Sequence, residues 1–331
     1  MKLLTVNRLR KHFPLKKDLL GRGGGTVHAV DDVSFDLEEG ETLGVVGESG
    51  CGKSTAARLL VRLIEPDAGE IRLEDRLVGA EMPLGEARSK MQMVFQDSFA
   101  SLNPRLTVGD SIAFGPVVHG LPRAQARERA RSLLARVGLK PDRFAGRYPH
   151  ELSGGQRQRV NIARALALQP KIVILDEAVS ALDKSVEAQV LNLLLDLKAE
   201  LKLTYIFISH DLNVVRYMSD RVMVMYLGKV AEAGPSESVF SGTHHPYTQA
   251  LFSAMPSMDP DRRTAEPPLT GDPPNPIDPA PGCRFKGRCG QAEEACGRSD
   301  VPLSNIGAQH DVACLLFQPG SGHSRAPRRA A

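Results

Sequence analysis

The sequence predicts an α/β domain over roughly its first 255 residues, followed by an extension of different composition. Three observations lead there. Short apolar runs of strand length alternate with amphipathic helical stretches from Met1 to about Ser253. One of those runs, Glu41 to Val46, enters a glycine-rich turn that opens a helix. After Met255 the composition changes: nine prolines fall between Pro256 and Pro281, and four of the five cysteines follow. With 42% hydrophobic and 24% charged residues in 331, the chain has ample material for a buried core plus an appendage.

Behind the strand Glu41 to Val46, a helix carries Ala56, Leu59, Leu60 and Leu63 on one face, and Pro66 stops it. Between Gln96 and Leu152 the pattern is mostly helical, and the arginines of Pro122 to Val137 read as a solvated helix face. Lys171 to Leu175 is a short buried strand. Lys184 to Leu201 is the clearest helix, with Val186, Val190, Leu193, Leu194, Leu197 and Leu201 at steps of three or four. Thr204 to Ile208 and Arg221 to Tyr226 read as buried strands, and Leu227-Gly228-Lys229 as a turn into Val230 to Ala233. The proline stretch reads as an extended connector, and residues 319–331 as a flexible tail.

Charge and hydropathy narrow the function classes. A net charge of +3 offers no basic footprint for nucleic acid. No apolar run approaches the roughly 18–20 residues that cross a bilayer. The N-terminus lacks the apolar segment of a signal peptide. The expectation is a cytoplasmic chain whose membrane role, if it has one, comes through partners.

Gly47, Glu48, Ser49, Gly50, Cys51, Gly52, Lys53 and Ser54, with Thr55 behind them, fit G-x-x-x-x-G-K-[ST] between a strand and a helix. The glycines permit backbone geometries that turn successive N–H groups toward phosphate oxygens, and the helix aims its positive end at the same anion. Lys53 is expected on the β- and γ-phosphates of a nucleotide, and the Ser54 hydroxyl on Mg²⁺. Cys51 reads as backbone filler, not as a nucleophile. The strand Ile172 to Leu175 ends in Asp176 and Glu177. A carboxylate at that tip, Asp176, can hold Mg²⁺ or its water, and Glu177 can polarise the attacking water. Seen alone, the two acids also read as a helix-capping pair.

At this point the chain, over roughly residues 1–253, resembles the ABC ATPase family. Leu152-Ser153-Gly154-Gly155-Gln156 matches its signature motif, so Ser153, Gly154, Gly155 and Gln156 are expected to contact the nucleotide held by a second subunit. Gln96 matches the Q-loop glutamine, near Mg²⁺ and water. Ser180-Ala181-Leu182-Asp183 matches the D-loop, and His210 in Ser209-His210-Asp211 the switch histidine beside the γ-phosphate. Phe13 is the candidate for stacking on adenine, with a plain core role as its alternative. The resemblance implies a RecA-like core, an antiparallel β subdomain and a helical subdomain over about residues 97–165. It implies catalysis by Glu177, His210 and Gln96, and Mg²⁺ on Ser54, Gln96 and Asp176.

Gln96 to Arg105, Tyr148-Pro149-His150-Glu151 and His245 to Leu251 resemble the subgroup that powers oligopeptide and dipeptide importers, and the insertion after Phe13-Pro14 resembles the F-type member of its usual pair of unlike ATPases. Ala178 and Ser98 stand where the family usually or often has proline. The implied partners are two transmembrane permeases, a second ATPase subunit and a solute-binding protein, with this chain peripheral on the cytoplasmic face of the membrane. A rival reading keeps the fold and places the ATPase in a soluble enzyme complex of the carbon–phosphorus lyase kind. Cys283, Cys289, Cys296 and Cys314, within the extension 256–318, resemble the C-terminal region of the importer subgroup. They read as ligands of a [4Fe–4S] cluster, of Zn²⁺, or as unliganded thiols. Arg284, Lys286 and Arg288 are expected either to offset thiolate charge or to be solvated.

Overall fold

The computed structural model describes residues 2–15, 24–242, 244–254 and 275–327. The regular elements begin with β1 (Lys2–Pro14), β2 (Thr26–Glu38), β3 (Thr42–Val46), α1 (Lys53–Leu60), β4 (Ala68–Leu73), β5 (Arg76–Leu77), α2 (Leu84–Lys90) and β6 (Met91–Val94). Next come α3 (Val108–Val118), α4 (Arg123–Arg136), α5 (Pro141–Phe144), α6 (Gly154–Leu166), β7 (Ile172–Asp176), α7 (Lys184–Leu201) and β8 (Thr204–Ile208). The chain closes with α8 (Leu212–Met218), β9 (Arg221–Tyr226), β10 (Lys229–Pro235), α9 (Ser236–Ser241), α10 (Pro246–Ser253), β11 (Ser304–Asn305) and β12 (Asp311–Val312). The chain divides into two compact units.

One unit comprises Met1–Leu4, Leu37–Thr42 and Arg72–Asp211. Its strands β6, β7 and β8 run side by side and parallel, with Met91 opposite Ile172 and Ile172 opposite Thr204. All five residues of β7 and all five of β8 are buried, as a strand covered on both faces requires. The expected helical region is present: α3 packs on α4 and α6. Thr107 caps α3 by accepting from the Asp110 N–H, and Ser153 caps α6 through a reciprocal box with Gln156. In α4 the buried residues are Ala126, Ala130, Leu133 and Leu134. Of its arginines, Arg127 pairs with Asp110 at 3.2 Å and Arg136 with Glu200 at 2.8 Å, while the half-buried Arg129 donates to the Ala167 carbonyl at 3.1 Å.

The other unit comprises Thr5–Asp36, Leu43–Ile71 and Leu212–Ala331. Here β3 pairs parallel with β9, β9 antiparallel with β10, and β10 antiparallel with β12. The β9–β10 hairpin turns on Leu227 and Gly228, both at positive φ, the geometry a tight hairpin needs. Within this unit, segments far apart in sequence meet. Val27 bridges Ile277, and the His28 N–H donates to the Pro276 carbonyl at 3.1 Å. Pro276, Ile277 and Asp278, in the stretch expected as connector, are therefore bound to β2; residues 256–274 of that connector lie outside the described residues. Of the expected tail, residues 319–327 hydrogen-bond back. Ser324 N–H donates to the Glu293 carboxylate at 2.9 Å, and His323 Nε2 lies 3.0 Å from the Gln291 carbonyl.

Candidate functional site

The phosphate loop connects β3 to α1. Gly47, Gly50 and Gly52 all have positive φ. At Gly52 no side chain fits: a Cβ would stand 2.1 Å from the Ala29 carbonyl oxygen. Lys53 is 5% exposed, and its Nζ donates to the carbonyls of Gly47 at 2.7 Å and Glu48 at 3.0 Å. An ammonium has three donors, and the loop's own oxygens hold it across the cradle. Burial pushes the Cys51 thiol up, which suits filler and not a nucleophile. Ser54 and Thr55 are half-buried in the first turn of α1.

Glu48 is bound at every polar group. Its N–H donates to Tyr247 Oη at 2.9 Å, and both its carboxylate oxygens accept from Arg288 Nη1 at 3.0 Å. Arg284 pairs with Asp31 and donates to the Leu227 carbonyl. Burial would raise the Asp31 carboxyl, but the Arg284 charge and hydrogen bonds from His28 and His12 bring it down to about 2. The expectation that both arginines balance thiolates or face water is therefore corrected: each is drawn to a carboxylate of its own, and only Lys286 is exposed. Sequence reasoning missed Tyr247 and Arg288 as neighbours of the loop. The His245-Pro246-Tyr247 run had marked the segment but not its target.

The residues expected to act in hydrolysis lie in the other unit. Asp176 ends β7 and is 1% exposed. Glu177 follows at φ 48, a left-handed conformation that costs on the order of 1 kcal/mol or more. Both of its peptide groups are tied. Its N–H donates to the Ile208 carbonyl at 2.9 Å, and its carbonyl accepts from the Ser180 N–H at 3.2 Å and from Ser180 Oγ at 3.0 Å. Gln96 Nε2 then donates to Glu177 Oε2 at 2.8 Å, and His210 Nδ1 lies 3.5 Å from the same oxygen. Two segments thus converge on a carboxylate carried by a third. Each taken by itself, Ser54 in the cradle's unit and Gln96 and Asp176 in this one carry the oxygen donors that a hard ion such as Mg²⁺ takes.

Around them, Asn161 on α6 donates to the Ser98 carbonyl at 3.0 Å, and Arg164 donates to the Ser101 carbonyl, so α6 braces the segment behind Gln96. Those two braces carried no motif in the sequence. At Gly155 a Cβ would meet Val186 Cγ1 at 2.4 Å, a packing reason for glycine at that position. Ser153 and Gly154 are exposed, and Asp183 is exposed at the start of α7. Phe13, on β1 of the cradle's unit, is 37% exposed with Lys11 Nζ 5.5 Å from its ring centroid, which leaves it available for stacking instead of core packing.

The four C-terminal cysteines line one cavity together with His245, Phe285 and His323. Among the described residues, the groups of three or more ligand atoms within 4.8 Å of one another are His12, His28 and Asp31, and Glu232, His244 and His310; the thiols form no such group. Tetrahedral zinc, with Zn–S near 2.3 Å, would need its sulfurs about 4 Å apart. The thiols as placed do not fit zinc. Iron–sulfur clusters are held by cysteine thiolates, and four cysteines line this cavity. Burial raises the thiols of Cys283, Cys289 and Cys314, the last to about 12.

Comparisons with known proteins identify the family. Residues 30–180 match the family described as ABC transporter, and residues 231–296 the family described as oligopeptide/dipeptide transporter, C-terminal region. The probable peptide ABC transporter ATP-binding protein y4tS of Sinorhizobium fredii is 49% identical, over 99% of this chain and 92% of that protein. The dipeptide transport ATP-binding protein DppF of Escherichia coli is 48% identical, over 98% of this chain and 97% of its own length. The oligopeptide transport ATP-binding protein AppF of Bacillus subtilis is 48% identical, over 95% and 97% respectively. Among solved structures, cbiO1 of Clostridium perfringens, part of the ABC transporter complex cbiONQ, superposes with a TM-score of 0.61 at 28% identity, covering 76% of this chain and 95% of that one. A dimeric ATP-binding cassette in a post-hydrolysis state with ADP and Pi gives 0.61 at 27% identity, covering 70% and 98%.

Proposed function

We propose, from the premise that this chain belongs to the ABC transporter ATP-binding family, that it hydrolyses ATP to drive an importer of peptides or related small solutes. The observation that carries the hydrolysis is the convergence of Gln96 and His210 on the carboxylate of Glu177. The peptide class is supported by the match of residues 231–296 and by the names of the relatives. That same match weighs against the soluble-complex reading.

The roles follow from the groups present. Loop N–H groups and Lys53 hold the β- and γ-phosphates. Glu177 accepts a proton from water as its oxygen bonds to the γ-phosphorus and the bond to ADP breaks. Gln96, donating to Glu177 Oε2, orients that base, and His210 stands where it can contact the γ-phosphate. Ser54, Asp176 and the Gln96 carbonyl would hold Mg²⁺, which would supply charge neutralisation for the phosphates. Phe13 stacks on adenine. The exposed Ser153 and Gly154 and the half-buried Gly155 and Gln156, with Asp183, serve the nucleotide of a second ATPase subunit, an unlike one by the F-type resemblance. ATP then favours the closed pair because it bridges two subunits only there.

No helix among the described residues is long and apolar enough to cross a membrane. The chain works at the cytoplasmic face through two permeases fed by a solute-binding protein. The exposed aromatics Phe99 and Phe114, with exposed Val118, are where we place the permease contact. Cys283, Cys289, Cys296 and Cys314 hold a [4Fe–4S] cluster; anaerobic purification yielding no iron and no acid-labile sulfide would remove it.

The deciding experiment is mass spectrometry of what co-purifies with the tagged Glu177→Gln chain from detergent-solubilised cells in ATP. Two polytopic permeases and a second ATPase are expected. Soluble enzymes without a permease would overturn the importer.

A further inference from the structure

The crest of the phosphate loop has little support of its own. Ser49 and Gly50 are exposed, and a Cβ at Gly50 would meet nothing within 4 Å. The loop's shape therefore rests on its flanks, and Glu48 is the flank that reaches outside it. The Glu48 carbonyl accepts from Lys53, its N–H is taken by Tyr247, and its carboxylate is taken by Arg288. Arg288 sits on the single turn Lys286–Arg288, between Cys283 and Cys289, one residue from the second thiol. Tyr226 Oη lies 3.4 Å from the same guanidinium nitrogen, and the Phe285 ring meets the Tyr226 ring edge-on at 5.4 Å. The side chains of Arg288 and Glu48 are 8% and 18% exposed, so solvent and salt screen the pair weakly.

We propose that Arg288 is a positioning residue for the phosphate loop, holding Glu48 so that its carbonyl seats Lys53, and that it thereby couples nucleotide affinity to the four-cysteine cavity. This rests on the reading that Gly47–Ser54 binds ATP. The coupling is reciprocal by thermodynamic necessity: what loosens the Cys283–Cys289 turn weakens nucleotide binding, and nucleotide steadies that turn.

The test uses the full chain and a fluorescent ATP analogue with Mg²⁺. Arg288→Gln should raise the dissociation constant by about tenfold. In a Glu48→Gln background the same substitution should add nothing, because the carboxylate it serves has already lost its charge. A folded Arg288→Gln chain that binds like wild type, or a loss that adds in full to that of Glu48→Gln, overturns the proposal. No binding by the wild-type chain overturns the nucleotide reading and the proposal with it. If Arg288→Gln does not fold, hydrogen exchange of the wild-type chain decides. Saturating analogue should increase protection from Cys283 to Gln291, and unchanged protection there overturns the coupling.

Discussion

The phosphate loop and the hydrolytic cluster are built by opposite means. The loop is a backbone object: glycines at positive φ shape it, and even its lysine is held by main-chain carbonyls. The cluster is a side-chain object, in which Gln96 and His210 approach Glu177 from separate segments and both stay in reach of solvent. A backbone site fails when its geometry is blocked. A side-chain site fails one functional group at a time, and affinity and rate separate accordingly.

Glu177→Gln keeps the shape and removes the base. Turnover should fall by about 10²–10⁴-fold with nucleotide affinity retained, read by phosphate release against equilibrium binding. Gly52→Ala should do the reverse. Its Cβ collides with the Ala29 carbonyl at a φ of 108, so melting and binding together should register a loss of about 3 kcal/mol.

Acid should act on the loop's unit through His245. Burial lowers that imidazole to about 4, and its Nδ1 accepts from the Tyr247 N–H at 3.0 Å, capping α10. The folded state disfavours the proton, so this stability is present above about pH 6.5 and lost as pH falls toward 4. A melting series across that window should show about 3 kcal/mol, and His245→Asn should flatten it. Gln96→Ala removes one exposed hydrogen bond to a carboxylate and should slow turnover by about tenfold. Smallest of all, Arg127→Ala on α4 should change stability by less than about 0.5 kcal/mol, since both members of its pair are exposed.

What the sequence made legible divides along the same line. Motifs whose chemistry is local appear where expected: the loop, the strand ending in Asp176 and Glu177, and the capped start of α6. The strand Thr204 to Ile208 and the helix Lys184 to Leu201 have the expected bounds. Contacts between distant segments left no local trace. Arg284 and Arg288 look like counter-charges for their neighbouring cysteines until folding brings Asp31 and Glu48 beside them. In α7 the expected stripe is rotated. Glu187 and Leu191 are buried while Val186, Leu193 and Leu201 are only partly covered. Spacing alone could not foresee a buried glutamate, which is stabilised here by Lys184 at 3.1 Å.

Glu232 has a consequence for how the protein could be cut and rejoined. Its buried carboxylate accepts from the N–H groups of His244 and His245 at 3.0 Å and meets His310 Nε2 at 2.7 Å. The β10–β12 ladder and the Arg284–Asp31 pair fasten the same two stretches of chain. A break anywhere between residues 254 and 275 leaves all of these contacts in place. Two separately expressed fragments, ending and beginning there, should reassemble into one protein, a split reporter whose joining is read by recovery of nucleotide binding.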